Sequence, residues 1–167
     1  MAIEIERKYL VRDESWRIMQ KDEERLMDGF IASNSSHKVR VRTYGSYATI
    51  TVKTVRIGLE REEFEFPIPL IEAIDLLSRH CGDNIIKKIR HYVIFDNTTW
   101  EINTYEGDLK GIILAEVELP DADAVVSQPP WLGQEVTFDP NYRTNKLMQC
   151  ARARSIARAA CRTGFSD

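Results

Sequence analysis

Seven stretches of this 167-residue chain place charged or polar side chains two positions apart, five of them with two or more charges, and the signs largely segregate. Glu4, Glu6 and Lys8 alternate with Ile3, Ile5 and Tyr9. Lys38, Arg40 and Arg42 alternate with Val39 and Val41, and Thr49, Thr51 and Lys53 with Ile50 and Val52. Glu63 and Glu65 flank Phe64, Lys88 and Arg90 flank Ile89, Glu101 and Asn103 flank Ile102, and Glu116 and Glu118 flank Val117. Residues two apart on a strand share a face and lie roughly 6.6 Å from each other. Any single such strand reads most simply as half-solvated sheet. Seven of them, with one contributing a pure carboxylate pair and another a pure cationic triplet, point to a site. Glu4, Glu6, Glu116 and Glu118, without a His or Cys cluster at ligand spacing, select a hard cation, Mg2+ or Mn2+, over zinc. Magnesium accepts one or two carboxylates and completes its shell with water and phosphate oxygens. Lys8, Arg40, Arg42, Lys53, Lys88 and Arg90 match the anionic oxygens of linked phosphates. Cations that neutralise developing charge, metal ions and a positioned water are what phosphoryl transfer to water requires. No Gly-x-x-x-x-Gly-Lys-Ser/Thr loop occurs, so strand side chains must do the binding.

The elements that must position these groups follow from periodicity. Period-two alternation predicts strands over residues 2–11, 38–43, 47–55, 61–68, 87–95, 99–105 and 113–119. Residues 13–26, 69–81 and 143–162 carry helical patterning, 121–127 a short helix before Pro129-Pro130, and 44–47 a tight hairpin connection. If the sheet closes with its apolar faces outward beneath the helices, the charged faces line the interior, the reverse of a filled barrel. Such a lumen is stable only when its charges are paired, hydrated or met by ligand. The expected fold class is α+β: an antiparallel β-barrel with a charged lumen and helices on its outside.

Bulk properties bound the reading. The length suits one domain, residues 1–167. A net charge of -3 argues against nucleic acid as partner. No apolar run approaches the roughly 20 residues that cross a bilayer. Cys81, Cys150 and Cys161 lack metal-ligand spacing, and a cytoplasmic location is expected. His37, His80 and His91 read as surface or packing residues, Trp16, Trp100 and Trp131 as packing between helices and the outer barrel, and the Arg-rich last helix as a solvated face.

Glu4-Ile5-Glu6-Arg7-Lys8 resembles the Glu-x-Glu-x-Lys signature of the CYTH family, the triphosphate tunnel metalloenzymes. Val39-Arg40-Val41-Arg42 resembles that family's Arg-x-Arg strand, Thr51-Val52-Lys53 its lysine strand and Arg61-Glu62-Glu63-Phe64-Glu65 its central acidic strand. Lys88-Ile89-Arg90, Glu116-Val117-Glu118, the 131–137 segment and Tyr142-Arg143-Thr144-Asn145-Lys146 continue the match in order. The resemblance is closest to small single-domain bacterial members. It implies an eight-stranded antiparallel tunnel around a linear triphosphate, the eighth strand lying near residues 28–32. It also implies metal at Glu4, Glu6, Glu116 and Glu118, and phosphates gripped by Lys8, Arg40, Arg42, Lys53, Lys88 and Arg90. Arg143 and Lys146 would approach from the closing helix, and Glu63 and Glu65, which with Lys8 make the catalytic set, would place a second metal or the attacking water. The implied reaction is hydrolysis of inorganic triphosphate. Adenylyl cyclase chemistry on a nucleoside triphosphate, thiamine triphosphate hydrolysis and a non-catalytic polyphosphate-binding module stay open, as does a homodimer. Two positions depart from the family pattern: Phe30 stands where many members have tyrosine, and Asn103 where the wall often carries aspartate.

Overall fold

The computed structural model describes residues 2–144 and 146–153. Its strands are β1 (Ala2–Val11), β2 (Gln20–Ser33), β3 (His37–Thr43), β4 (Ala48–Thr54), β5 (Glu60–Ile68), β6 (Ile85–Phe95), β7 (Thr98–Tyr105), β8 (Ile113–Glu118) and β9 (Leu132–Glu135), with one helix, α1 (Leu70–His80), between β5 and β6. The sheet runs β5-β4-β3-β2-β6-β7-β8-β1-β9, and a further β5–β1 pairing closes the first eight strands into an antiparallel ring. β1 makes the closure by dividing its length. Ala2 to Ile5 pair with β5, and Glu6 to Leu10 pair with β8. The short β9 hangs on the end of β1 opposite Tyr9 and Val11, a ninth strand beyond the eight expected.

The apolar faces point outward, as the alternation predicts. Ile5, Tyr9, Val93, Trp100, Ile102, Ala115 and Val117 form one outer core with Trp16 and Trp131. A 3-10 helix (Ser15–Met19) and the 120–131 segment cover it, in place of the helices expected to pack the tryptophans. α1 buries Ala73 and Leu77 against Val41, Ala48 and Cys81. It ends at His80, and Gly82 follows with a φ of +51°, a conformation that favours glycine. Asp96 and Asn97, both at positive φ, make the β6–β7 turn.

Three helix expectations need correction or restriction. Residues 13–26 are not a helix: after the 3-10 turn the chain enters β2, the longest strand. Lys21 to Arg25 favour helix locally, but residues 22–25 pair along β6, with β3 joining the other edge only from Met27 onward, and that continuous ladder outweighs tenths of a kcal/mol of propensity. Residues 121–127 form a single turn in which Asp121 accepts from the Asp123 and Ala124 amides. That turn does not propagate into Val125 and Val126, whose branched side chains disfavour helix; Val126 packs against the outer core while Val125 is 96% exposed. Residues 146–153 are helical, and the remainder of the predicted 143–162 helix lies outside the described residues.

Gly29 on β2 has a packing reason for its identity. A Cβ there would stand 2.4 Å from Leu77 Cδ2 and 2.7 Å from Cys81 Sγ, both buried under α1. Gly29→Ala is expected to destabilise the fold by about 1–3 kcal/mol through overpacking, read as a lowered urea midpoint with unchanged slope.

Candidate active site

The ring encloses a cavity of about 930 Å³. Glu4, Glu6, Lys8, Arg40, Arg42, Lys53, Glu63, Glu65, Lys88, Arg90, Glu116, Glu118 and Arg143 all line it. Lys146 does not: it is exposed, and its amine donates to Gln149 Oε1 at 3.1 Å. Strand register explains the gathering, because antiparallel pairing sets residues distant in sequence side by side. Lys8 lies opposite Glu116, Lys53 opposite Glu63 and Thr51 opposite Glu65.

Three ion-pair groups result. In the first, Lys53 Nζ stands 2.7 Å from Glu63 and 3.0 Å from Glu4, while Arg61 reaches both Glu4 and Glu6. In the second, Lys8 Nζ is 2.7 Å from Glu116, and Arg90 bridges Glu101 at 2.8 Å and Glu116 at 3.7 Å. Asn103 completes this group by donating to Glu116 Oε2 at 2.9 Å; where an aspartate would add charge, it orients Glu116 without repelling it. In the third, Arg42 grips buried Asp28 through two nitrogens, Nη2 donating to Oδ2 at 2.8 Å, with Lys88 3.9 Å away. Arg40 links Glu65 and Thr51, and its Nε is buried with no hydrogen-bond partner among the described residues.

The charges shift one another's proton affinity. Burial opposes ionisation of Glu116, but Lys8, Lys88 and Arg90 outweigh it and hold the carboxyl well below its usual range. Burial likewise works against charge on Lys8, yet Glu116 and Glu6 push its pKa up. Glu63, Glu101 and Glu118 move the other way, raised chiefly by burial. For Glu118 the carboxylates of Glu4 and Glu6 add to the effect.

Lys88 is displaced most usefully. Burial, then Arg90 and Arg42, push its pKa down to about 7. Because the folded pKa lies below the unfolded value of about 10.4, the charged buried amine costs stability below pH 7, and that cost is relieved as pH rises toward 10. The same deprotonation removes a positive charge from the lumen. Affinity for a polyanion is therefore expected to fall as pH rises through 7–9, and Lys88→Arg, which stays charged, should flatten that profile in calorimetric titrations.

Whether a divalent cation fits can be judged from the acidic set. Glu6 lies directly opposite Glu118 and Glu101 directly opposite Glu116, and like charges facing each other across strands are unfavourable without a cation. Glu118 has no ion-pair partner among the described residues. Among those residues no three acidic, His or Cys side chains already converge as a closed metal cage. The donors are all carboxylate oxygens, a set that suits Mg2+ or Mn2+.

Asp28, Arg56, Arg61 and Tyr105 also line the cavity and were not singled out from sequence. Arg61 was detectable, since it shares a strand face with Glu63 and Glu65. Asp28 falls in the 28–32 segment, whose single charge offers no alternation to read, and Arg56 lies in a loop where no periodicity applies.

A closed antiparallel ring with apolar faces outward and matched carboxylates and cations within is a charged tunnel rather than a barrel for an apolar ligand. The chain belongs to the CYTH family, whose domain profile matches residues 2–153. It is 36% identical over 149 residues to an inorganic triphosphatase of Acetivibrio thermocellus, spanning 89% of this chain and 95% of that protein. To an inorganic triphosphatase of Nitrosomonas europaea it is 30% identical over 147 residues, 86% of this chain and 95% of the other. A crystal structure of an inorganic triphosphatase superposes with a TM-score of 0.62 at 27% identity, covering 89% and 95% of the two chains.

Proposed function

We propose that this chain is a divalent-metal-dependent inorganic triphosphatase that hydrolyses tripolyphosphate to pyrophosphate and phosphate. The observation that carries this reading is the lumen itself. Six cations, Lys8, Arg40, Arg42, Lys53, Lys88 and Arg90, surround one cavity with the acidic set, and an orphaned Arg40 Nε is available to a phosphate oxygen. The two curated relatives named inorganic triphosphatase span nearly the whole chain.

In this mechanism Lys8, Arg40, Arg42, Lys53, Lys88 and Arg90 bind the non-bridging oxygens, with Arg143 at the cavity wall. Glu4, Glu6, Glu116 and Glu118 would hold Mg2+ or Mn2+, which when bound supplies charge neutralisation and polarises the attacked phosphorus. Glu63, its proton affinity raised by burial, and Glu65, fixed by Thr51 and Arg40, orient the attacking water and take its proton. The water oxygen bonds to the terminal phosphorus as the bond to the bridging oxygen breaks, and pyrophosphate leaves. Lys8, kept cationic by Glu116, faces the charge that develops. The ring is closed and protein-lined, and no described helix is long and apolar enough to cross a membrane. Free Cys81 and Cys150 fit a reducing cytoplasm.

The test is release of phosphate, pyrophosphate and cyclic AMP from tripolyphosphate and ATP, each with Mg2+, Mn2+ or chelator. Metal-dependent tripolyphosphate cleavage is the expected result. Cyclic AMP from ATP would replace this reading by the cyclase, and binding without any cleavage would replace it by a polyphosphate-binding module.

A further inference from the structure

Arg56 belongs to the loop joining β4 and β5, outside any strand, yet its guanidinium reaches into the barrel. Nη2 meets Glu6 Oε1 at 2.7 Å, and Nη1 donates to the Glu6 main-chain oxygen at 3.2 Å. Arg61, at the start of β5, adds a 3.2 Å contact to the same carboxylate oxygen and holds Glu4 through Nε. Two carboxylates assigned to a divalent cation in the proposed mechanism are thus already neutralised by guanidinium groups. Without that charge, Glu6 would face Glu118 unscreened.

We propose that Arg56 is a resident counter-cation that leaves Glu6 when the divalent metal binds, so that metal loading exchanges one cation for another. Arg56 rather than Arg61 is the exchanging group for a structural reason. Arg61 is set opposite Glu4 in the β1–β5 ladder, whereas Arg56 sits between Val55 and Ile57, exposed by 52% and 82%, two residues before Gly58 at a φ of +61°. Its withdrawal from Glu6 breaks no ladder. The freed fork remains in the cavity wall, where its geometry matches phosphate oxygens. Metal loading therefore presents the triphosphate with an additional donor, and metal and triphosphate strengthen each other's binding by the same factor. This inference rests on the reading of Glu4 and Glu6 as metal carboxylates.

The experiment is titration of the chelator-treated full chain with Mn2+ alone, following the free-ion signal by electron paramagnetic resonance, with no triphosphate and no turnover. Arg56→Gln is expected to bind Mn2+ about ten-fold more tightly, because no charge-assisted pair has to be broken first. Its thermal midpoint in chelator should fall below that of the wild type, and saturating Mn2+ should close the gap. Arg56→Lys keeps the charge but loses the two-point grip, so it should tighten binding partially. Unchanged or weaker Mn2+ binding in Arg56→Gln overturns the exchange. So does tightening in Arg56→Gln with a wild-type constant in Arg56→Lys, which would assign the effect to charge alone. A wild-type chain that binds no Mn2+ removes the metal reading itself, a result distinct from both.

Discussion

Glu6→Gln is expected to lower metal-dependent tripolyphosphate hydrolysis by about 10²- to 10³-fold, the scale on which preorganised electrostatic groups act. The substitution keeps the shape of the side chain and removes its charge. Glu6 faces Glu118 across the β1–β8 ladder and shares the cavity with Glu4, so under the proposed metal assignment the neutral amide removes an anionic ligand from the acidic set. Folding should survive, because Arg61 retains Glu4 and Lys53 retains Glu63. A thermal midpoint near the wild-type value, together with lost turnover and weakened Mn2+ binding, is the expected pattern. Undiminished turnover would withdraw Glu6 from the metal set and with it the proposed mechanism.

Asp28→Asn is expected to act on the fold instead. Asp28 is 3% exposed and answers Arg42 through both oxygens, with Lys88 close by. Removing one member of a buried pair strands the other and typically costs about 3–5 kcal/mol, which for a chain of this size lowers the thermal midpoint by roughly 6–20 °C. Burial would raise the Asp28 pKa, but Arg42 and then Lys88 and Arg40 override it and hold the carboxyl far below its ordinary range. A carboxylate with a depressed folded pKa contributes stability that is present above the unfolded value of about 3.9 and is lost as pH falls below it. The difference between wild type and Asp28→Asn should therefore be full at pH 6–8 and shrink on acidification below about pH 4. A pH-independent difference would mean that packing rather than charge sets the effect. Triphosphate affinity should drop as well, since Arg42 would lose the partner that aims it into the lumen.

The two substitutions separate what Glu6 and Asp28 each do although both line one cavity. Glu6 stands among carboxylates, opposite Glu118, with Arg56 and Arg61 as its counter-cations. Asp28 stands where positive charge is in excess, among Arg42, Lys88 and Arg40, and keeps those side chains apart. The uneven distribution follows from register: β8 and β1 bring carboxylates together at Glu6 and Glu118, whereas β2 slots Asp28 between the cations of β3 and β6.

By itself the sequence determined the two faces of nearly every strand. A charge at every second residue is a local pattern, and Ile5, Ile102 and Val117 had to lie on the face opposite Glu4, Glu101 and Glu116 whatever the strands paired with. That was enough to place the acidic and basic sets on a common interior and, with the ordered motifs, to reach the family. The alternation failed where local preference and pairing disagreed. Lys21 to Arg25 resembles a helix from within and becomes strand because β6 pairs along it, a fact carried by residues tens of positions away. Only the tertiary structure decided which charges meet. Lys8 finds Glu116 through the β1–β8 register and Arg42 finds Asp28 through the β2–β3 register, pairings that no local pattern specifies. Arg56 shows the limit most plainly: in a loop no period constrains it, and its grip on Glu6 arises because ring closure carries the β4–β5 turn over the first strand.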